Sequence, residues 1–313
     1  MLARLQRRAI LMLALAALAW WLGWQHAGHA ILATAGAFAI IGSYPIVLAI
    51  EFALLAAIHG DDPTPHASAL ELLRAWLREC VVAQQVFGWR QPFRAGAHAD
   101  VSGRRGQRGI VFVHGYLCNR GVWNPWLVRC AARGVPCVAV SLEPVFGELD
   151  VYIPQLEQAI ARLEHETGAA PLLVCHSMGG LVARAWLAAT PGAAARVRHV
   201  VTVATPHRGT WLARLGRTTN ALHMRQASGW LQRLAAREPA CHAECYTCFY
   251  GQADNIVLPP RAATLEGADN RHLRASAHLT MVYHPEVFSE VDRWLATSDA
   301  ASSVTAALGE RSP

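Results

Sequence analysis

Hydrophobic positions run along this chain in two modes. Up to Ile58 they are nearly continuous: "AILMLALAALAWWLGW" from Ala9 to Trp24 carries no charge, and "AILATAGAFAIIGSYPIVLAI" from Ala30 to Ile50 continues past Glu51 to Ile58. Each run approaches the length of a membrane span, so the pattern predicts a membrane anchor of two transmembrane helices in residues 1–58. A cleaved signal peptide is the alternative, with a weak site at Gly28-His29-Ala30, but a second long apolar run should not follow one. Further on, the apolar stretches shorten and alternate in kind. "GIVFVHG", "VPCVAVSL", "PLLVC", "VRHVVTVAT" and "CYTCFYG" read as strands, and helical spacing fills Val122 to Arg133, Tyr152 to Thr167, Gly179 to Ala189 and Glu286 to Ala296. Strand and helix in this rhythm predict an α/β fold: a mainly parallel sheet with helices on both faces.

The polar stretches mark the divisions. "HGDDPTPHAS" from His59 to Ser68 reads as a linker, and Leu70, Leu73, Trp76, Leu77 and Cys80 recur at the spacing of a connecting amphipathic helix, together residues 59–100. A main domain follows over residues 101–300, with a flexible tail at 301–313. Its rhythm is broken once, by a long insertion at about 208–240 holding Trp211, Leu215 and Trp230 among arginines. A connection of that length is usually functional, and its composition suits a cap or lid over an apolar site; an extra packed helix pair is the alternative.

Charge adds an orientation. The arginines Arg4, Arg7 and Arg8 precede the first apolar run, and Arg74 and Arg78 follow the second. Two spans would therefore leave the main domain on the cytoplasmic side of a bacterial inner membrane, and a single span would leave it in the periplasm. The net charge of +6 does not indicate a nucleic-acid partner, because the basic residues are scattered, all are arginine, and no dense basic run is interleaved with aromatics. Most of the eight cysteines fall in or beside predicted core elements, where the thiol packs as a small hydrophobe. "CHAECYTC" from Cys241 to Cys248 lacks a second CxxC to complete a zinc set, so no metal is expected.

Open parallel sheets build sites at the carboxyl ends of their strands. In "LLVCHSMGGL", from Leu172 to Leu181, an apolar strand breaks at Ser177 and passes through two glycines into a helix. That is the layout of a nucleophile elbow, G-x-S-x-G, with Cys175 in place of the first glycine. A serine hydroxyl needs a base held by a carboxylate, in the chain order Ser, acid, His. Asp254 follows a predicted strand in "FYGQADNIVLPP", and His278 precedes the last helix in "SAHLTMVYHPEV". Asp269 is the competing acid, in a polar loop without a predicted strand behind it, and His284, followed by Pro285, reads as a helix start. An oxyanion hole needs two amides: Met178 supplies one and Tyr116, after Gly115 in "VFVHGYLCNRGVW", the other. His114 and His207 read as loop braces.

"VHGYLCNRGVW", "CHSMGGLVARAW", "ATPHRGT", "YGQADNIVLPP" and "AHLTMVYHPEV", in this order from about Ile110 to Trp294, resemble the bacterial lipase and esterase branch of the alpha/beta-hydrolase superfamily. The resemblance implies a carboxylic-ester hydrolase without a cofactor, with Ser177, Asp254 and His278 as triad and Tyr116 and Met178 as oxyanion donors. With the apolar front, the expected substrate is an ester or lipid at a membrane. Acyl transfer by the same triad, and a catalytically silent membrane scaffold, remain the alternatives.

Overall fold

The alternation of apolar runs becomes a six-stranded, all-parallel sheet in the order β2-β1-β3-β4-β5-β6. The computed structural model describes residues 1–238 and 242–297; Cys241 and the expected tail at 301–313 lie outside them. Strands β1 (Ile110–Val113), β2 (Cys137–Ala139), β3 (Leu172–His176), β4 (His199–Val203) and β5 (Tyr246–Tyr250) fall where the apolar runs predict them. β6 (Asp269–His272) was not expected: "DNRH" is polar because an edge strand leaves much of its surface to water. The inner strands are buried on both faces, which is why they read as unbroken apolar runs. Ile110, Phe112, Leu172 and Val174 face one core, under α6 (Asn124–Arg133) and α11 (Pro285–Ala296). Val111, Val113, Leu173 and Cys175 face the other, under α7 (Ile153–Thr167) and α8 (Met178–Ala189).

The N-terminal region divides differently from the expected anchor. α1 (Leu2–His26) is long and apolar enough to cross a membrane. The second run is broken at Gly42-Ser43 into α2 (Ala30–Ile41) and α3 (Tyr44–Ile58), bent by 57°. α2 returns along α1, with Gly36 so close to Trp20 that a Cβ there would lie 1.9 Å from the indole nitrogen. α3 instead joins the main domain: Phe52 and Leu55 pack in one cluster with Ala253, Leu258 and Ala277.

α4 (Ala69–Ala83) starts at a capping box in which Ser68 and Glu71 satisfy each other's amides, then passes through a π-helical stretch, Gln84–Arg90, into α5 (Gln91–Arg94). Its orientation is a finding. Leu70, Leu73, Leu77 and Val81 face outward, each more than half exposed, while Ala75, Glu79 and Ala83 are buried. Hydrophobic spacing identifies the helix, but the inward face is set by partners distant in sequence.

Candidate active site

The turn between β3 and α8 places one residue, Ser177, at φ 52° and ψ −127°, a region that side chains other than glycine rarely enter. Its neighbours hold it there. The Ser177 amide donates to the Val203 carbonyl at 2.9 Å, and the Thr205 hydroxyl donates to the Ser177 carbonyl at 2.9 Å. The two following glycines are steric requirements: a Cβ on Gly179 would come within 2.4 Å of the Val113 carbonyl oxygen, and one on Gly180 within 2.2 Å of the Thr205 hydroxyl. Cys175 needs no such clearance, because it lies in register between Val113 and Thr202 and packs in the core. Burial pushes its thiol up, so it stays neutral.

Asp254 and His278 meet beyond the end of β5. His278 Nδ1 lies 3.0 Å and 3.2 Å from the two Asp254 carboxylate oxygens, and both residues are buried. Asp254 Oδ1 also accepts from the Ile256 and Val257 amides at 2.9 and 3.0 Å, which fixes the carboxylate plane before the imidazole arrives. The His278 amide donates to Asn255 Oδ1 at 3.2 Å. With Nδ1 engaged, Nε2 is the nitrogen left for chemistry. The His278 ring lies 4.7 Å from that of His176, the residue before Ser177. The Ser177 hydroxyl has no hydrogen bond among the described residues.

Gly115 brings a second loop onto the serine: a Cβ there would sit 2.7 Å from Ser177 Cβ. The next amide is that of Tyr116, and Met178 is the first residue of α8; neither amide has a partner among the described residues. His114 braces this loop, its Nδ1 on the Gly115 carbonyl at 2.9 Å and its Nε2 accepting from the Leu142 amide at 2.9 Å. Burial holds it down to about 4, so it is neutral.

Residues 110–311 match the Alpha/beta hydrolase family. The chain belongs to that family. Among solved structures, the hydrolase is similar to Bacillus licheniformis lipase BlEst2 in mature form, at 17% identity and a TM-score of 0.53, over 64% of this chain and 96% of that one. It is also similar to Aspergillus fumigatus lipase B, at 16% identity and a TM-score of 0.51, over 60% of this chain and 52% of that one. No curated protein matches it by sequence.

The insertion of this hydrolase forms a short 3-10 turn, Trp211–Leu215, then α9 (Thr219–His223) and α10 (Gly229–Arg237). Its three expected lid residues separate. Trp230 is buried in the main core and donates to Asp150 at 2.9 Å, because the apolar face of α10 turns inward. Trp211 packs partly buried against the cluster beneath α3. Leu215 alone of the three projects outward. The rivals for the triad lie elsewhere: Asp269 pairs with Arg271 at 2.7 Å at the sheet edge, and His284 caps α11.

Beside Leu215, which the sequence pointed to, the structure places residues that the sequence reading did not single out for the site. Phe146 packs on Tyr116, whose hydroxyl bonds Thr218 in the insertion at 3.0 Å. Leu117, Phe146, Leu215 and Leu222 are exposed apolar side chains on the loop after β1, the loop before α7 and the insertion. Glu51 and Glu79, from the N-terminal helices, reach the loops of Asn255 and His278. Nothing local in the sequence marks either acid.

Proposed function

We propose that this hydrolase cleaves carboxylic esters of lipids at a membrane surface, using Ser177, His278 and Asp254. The observation that carries the reading is the Asp254–His278 pair, set beside the loop of a serine held at positive φ on a strand-to-helix turn. In this scheme Ser177 Oγ attacks the ester carbonyl carbon while His278 Nε2 takes its proton. The oxyanion is met by the Met178 and Tyr116 amides, the former aided by the N-terminal dipole of α8. Imidazolium then gives its proton to the leaving alkoxide, and the alcohol departs from the acyl-enzyme. Water, deprotonated by His278, attacks the acyl carbon; the carboxylic acid leaves and Ser177 recovers its proton. The exposed apolar residues Leu117, Phe146, Leu215 and Leu222 suit an acyl chain. The test is labelling by a fluorophosphonate probe followed by turnover across p-nitrophenyl esters of increasing chain length. Absence of both labelling and ester turnover in folded protein would overturn the assignment.

The pH profile follows from the surroundings of His278. Burial disfavours its cation, but the charge and hydrogen bond of Asp254, with Glu79 and Glu51 behind, outweigh that and leave its pKa above the ordinary 6.5. His176 does not add a like charge, because burial pushes it well below its ordinary value. The base must be neutral to accept a proton, so activity rises with pH through the raised value. The acidic limb of kcat/KM on p-nitrophenyl butyrate is therefore expected above 6.5. A limb at or below the ordinary value would contradict this.

Two features support membrane attachment. α1 is about 37 Å long at 1.5 Å per residue and starts at the catalytic domain, where the Met1 amine pairs with Glu143 and Gln6 with Gln91. α2 turns back along α1, and Arg4, Arg7 and Arg8 stand at the end of α1 next to that domain. The outward stripe Leu73, Leu77 and Val81 of α4, flanked by Arg74 and Arg78, has the composition of a helix lying in a lipid interface. Changing all three stripe residues to serine should lower hydrolysis of vesicle-embedded esters several-fold and leave dissolved p-nitrophenyl butyrate within about twofold. Equal loss on both substrates would show the stripe to be ordinary packing.

A further inference from the structure

We propose that Glu79 and Glu51, both outside the family-matched region, are positioning residues for His278, so that the N-terminal helices complete the active site as well as attaching it to lipid. The proposal rests on His278 being the general base.

Glu79 lies on the buried face of α4 between Ala75 and Ala83, where an apolar side chain would pack without the desolvation penalty of an acid. Its carboxylate is fully engaged. Oε1 accepts from the Leu279 amide at 2.7 Å, and Oε2 accepts from the Thr280 amide at 3.0 Å and the Thr280 hydroxyl at 2.6 Å. These amides open the 3-10 turn Thr280–Tyr283 and would otherwise lack partners, so Glu79 caps that turn from a helix two hundred residues earlier. Burial raises the pKa of this acid above its ordinary value and its hydrogen-bond donors work the other way; three donors with no acceptor opposite are the set that an ionised carboxylate satisfies.

Glu51 acts one step further out. Its Oε2 accepts from Asn255 Nδ2 at 2.6 Å, and Asn255 Oδ1 accepts the His278 amide. The amides of residues 278, 279 and 280 are thus held in succession, the first through Asn255 and the next two by Glu79 directly. Asp254 fixes the imidazole ring, and these bonds fix the backbone that carries it. A ring held at one nitrogen can still swing with its loop, and small displacements of a base from its nucleophile are costly in rate. The titratable groups facing His278 are Asp254 from the loop after β5, Glu79 from α4, Glu51 from α3 and His176 from the end of β3.

The experiment compares full-length wild type, Glu79→Gln and Glu51→Ala on dissolved p-nitrophenyl butyrate, which removes any dependence on lipid. Glu79→Gln keeps the shape of the side chain but turns an amide group toward at least one donor. We expect kcat to fall on the order of 10- to 100-fold with KM little changed. The acidic limb should move to lower pH, because a nearby negative charge is gone; Glu79→Asp should recover part of the rate. Glu51→Ala, in a helix that tolerates alanine, should lower kcat several-fold and shift the limb the same way but less, because burial pushes the Glu51 carboxyl up to about 7 and leaves it only partly charged there. Fluorophosphonate labelling of wild type, lost in Ser177→Ala, tests the triad reading separately from both acids. Given that labelling, a change in melting temperature with unchanged kcat and an unmoved limb would make Glu79 a fold residue only and overturn the proposal. If Glu79→Gln does not fold, Glu51→Ala decides by the same criterion.

Discussion

Ser177→Ala is expected to abolish fluorophosphonate labelling and to lower turnover of p-nitrophenyl butyrate by about 10³- to 10⁶-fold, leaving the melting temperature unchanged. The two outcomes have separate physical causes. In the proposed mechanism the hydroxyl forms the acyl bond, so its removal leaves at most the contribution of binding and oxyanion donors. Stability is spared because the hydroxyl makes no hydrogen bond among the described residues, while the bonds that hold the turn use the Ser177 backbone and Thr205. Alanine at the same positive φ carries the same strain as serine. Hydrolysis at the wild-type rate in this variant would remove Ser177 from the chemistry.

Asp254→Asn is expected to lower kcat by about 10⁴-fold, and Asp269→Asn to change it by less than about twofold. Asparagine at position 254 would still accept the Ile256 and Val257 amides, so the loop keeps its shape. What changes is the face toward His278: an amide N–H there favours the tautomer with its proton on Nε2, which cannot take a proton from Ser177. Asp269 faces Arg271 at an exposed sheet edge and reaches no part of the site. A large effect from Asp269 with none from Asp254 would transfer the acid role.

The N-terminal region ties the His278 loop to an apolar outer face. One face of α4 presents Leu73, Leu77 and Val81 outward, and the opposite face holds the His278 loop through Glu79. Removing residues 1–66 would take away α3, and with it Glu51 and the Phe52 and Leu55 packing under Ala277. Such a truncation is therefore expected to impair turnover of dissolved esters as well as of lipids.

Local signals in the sequence were enough for the parallel α/β architecture and for the strand-to-helix turn that carries Ser177. Those features are written in local terms: apolar runs of strand length, helical periodicity, and glycines at Gly115, Gly179 and Gly180 where backbones must approach closely. Which way each amphipathic helix faces, and which acids reach the His278 loop, follow only from the folded chain. The spacing of Leu70, Leu73 and Leu77 announces a helix but not that this face turns outward, and Trp230 reads equally as lid or core until α10 is docked. β6 escaped notice because an edge strand carries polar residues, and the second apolar run concealed the bend that delivers α3 to the domain. Glu79 looks like a solvated helix acid, since the donors that justify its burial lie at residues 279 and 280. Periodicity records the environment a segment meets on average; a hydrogen bond across two hundred residues leaves no local pattern, and only the folded chain brings its two ends together.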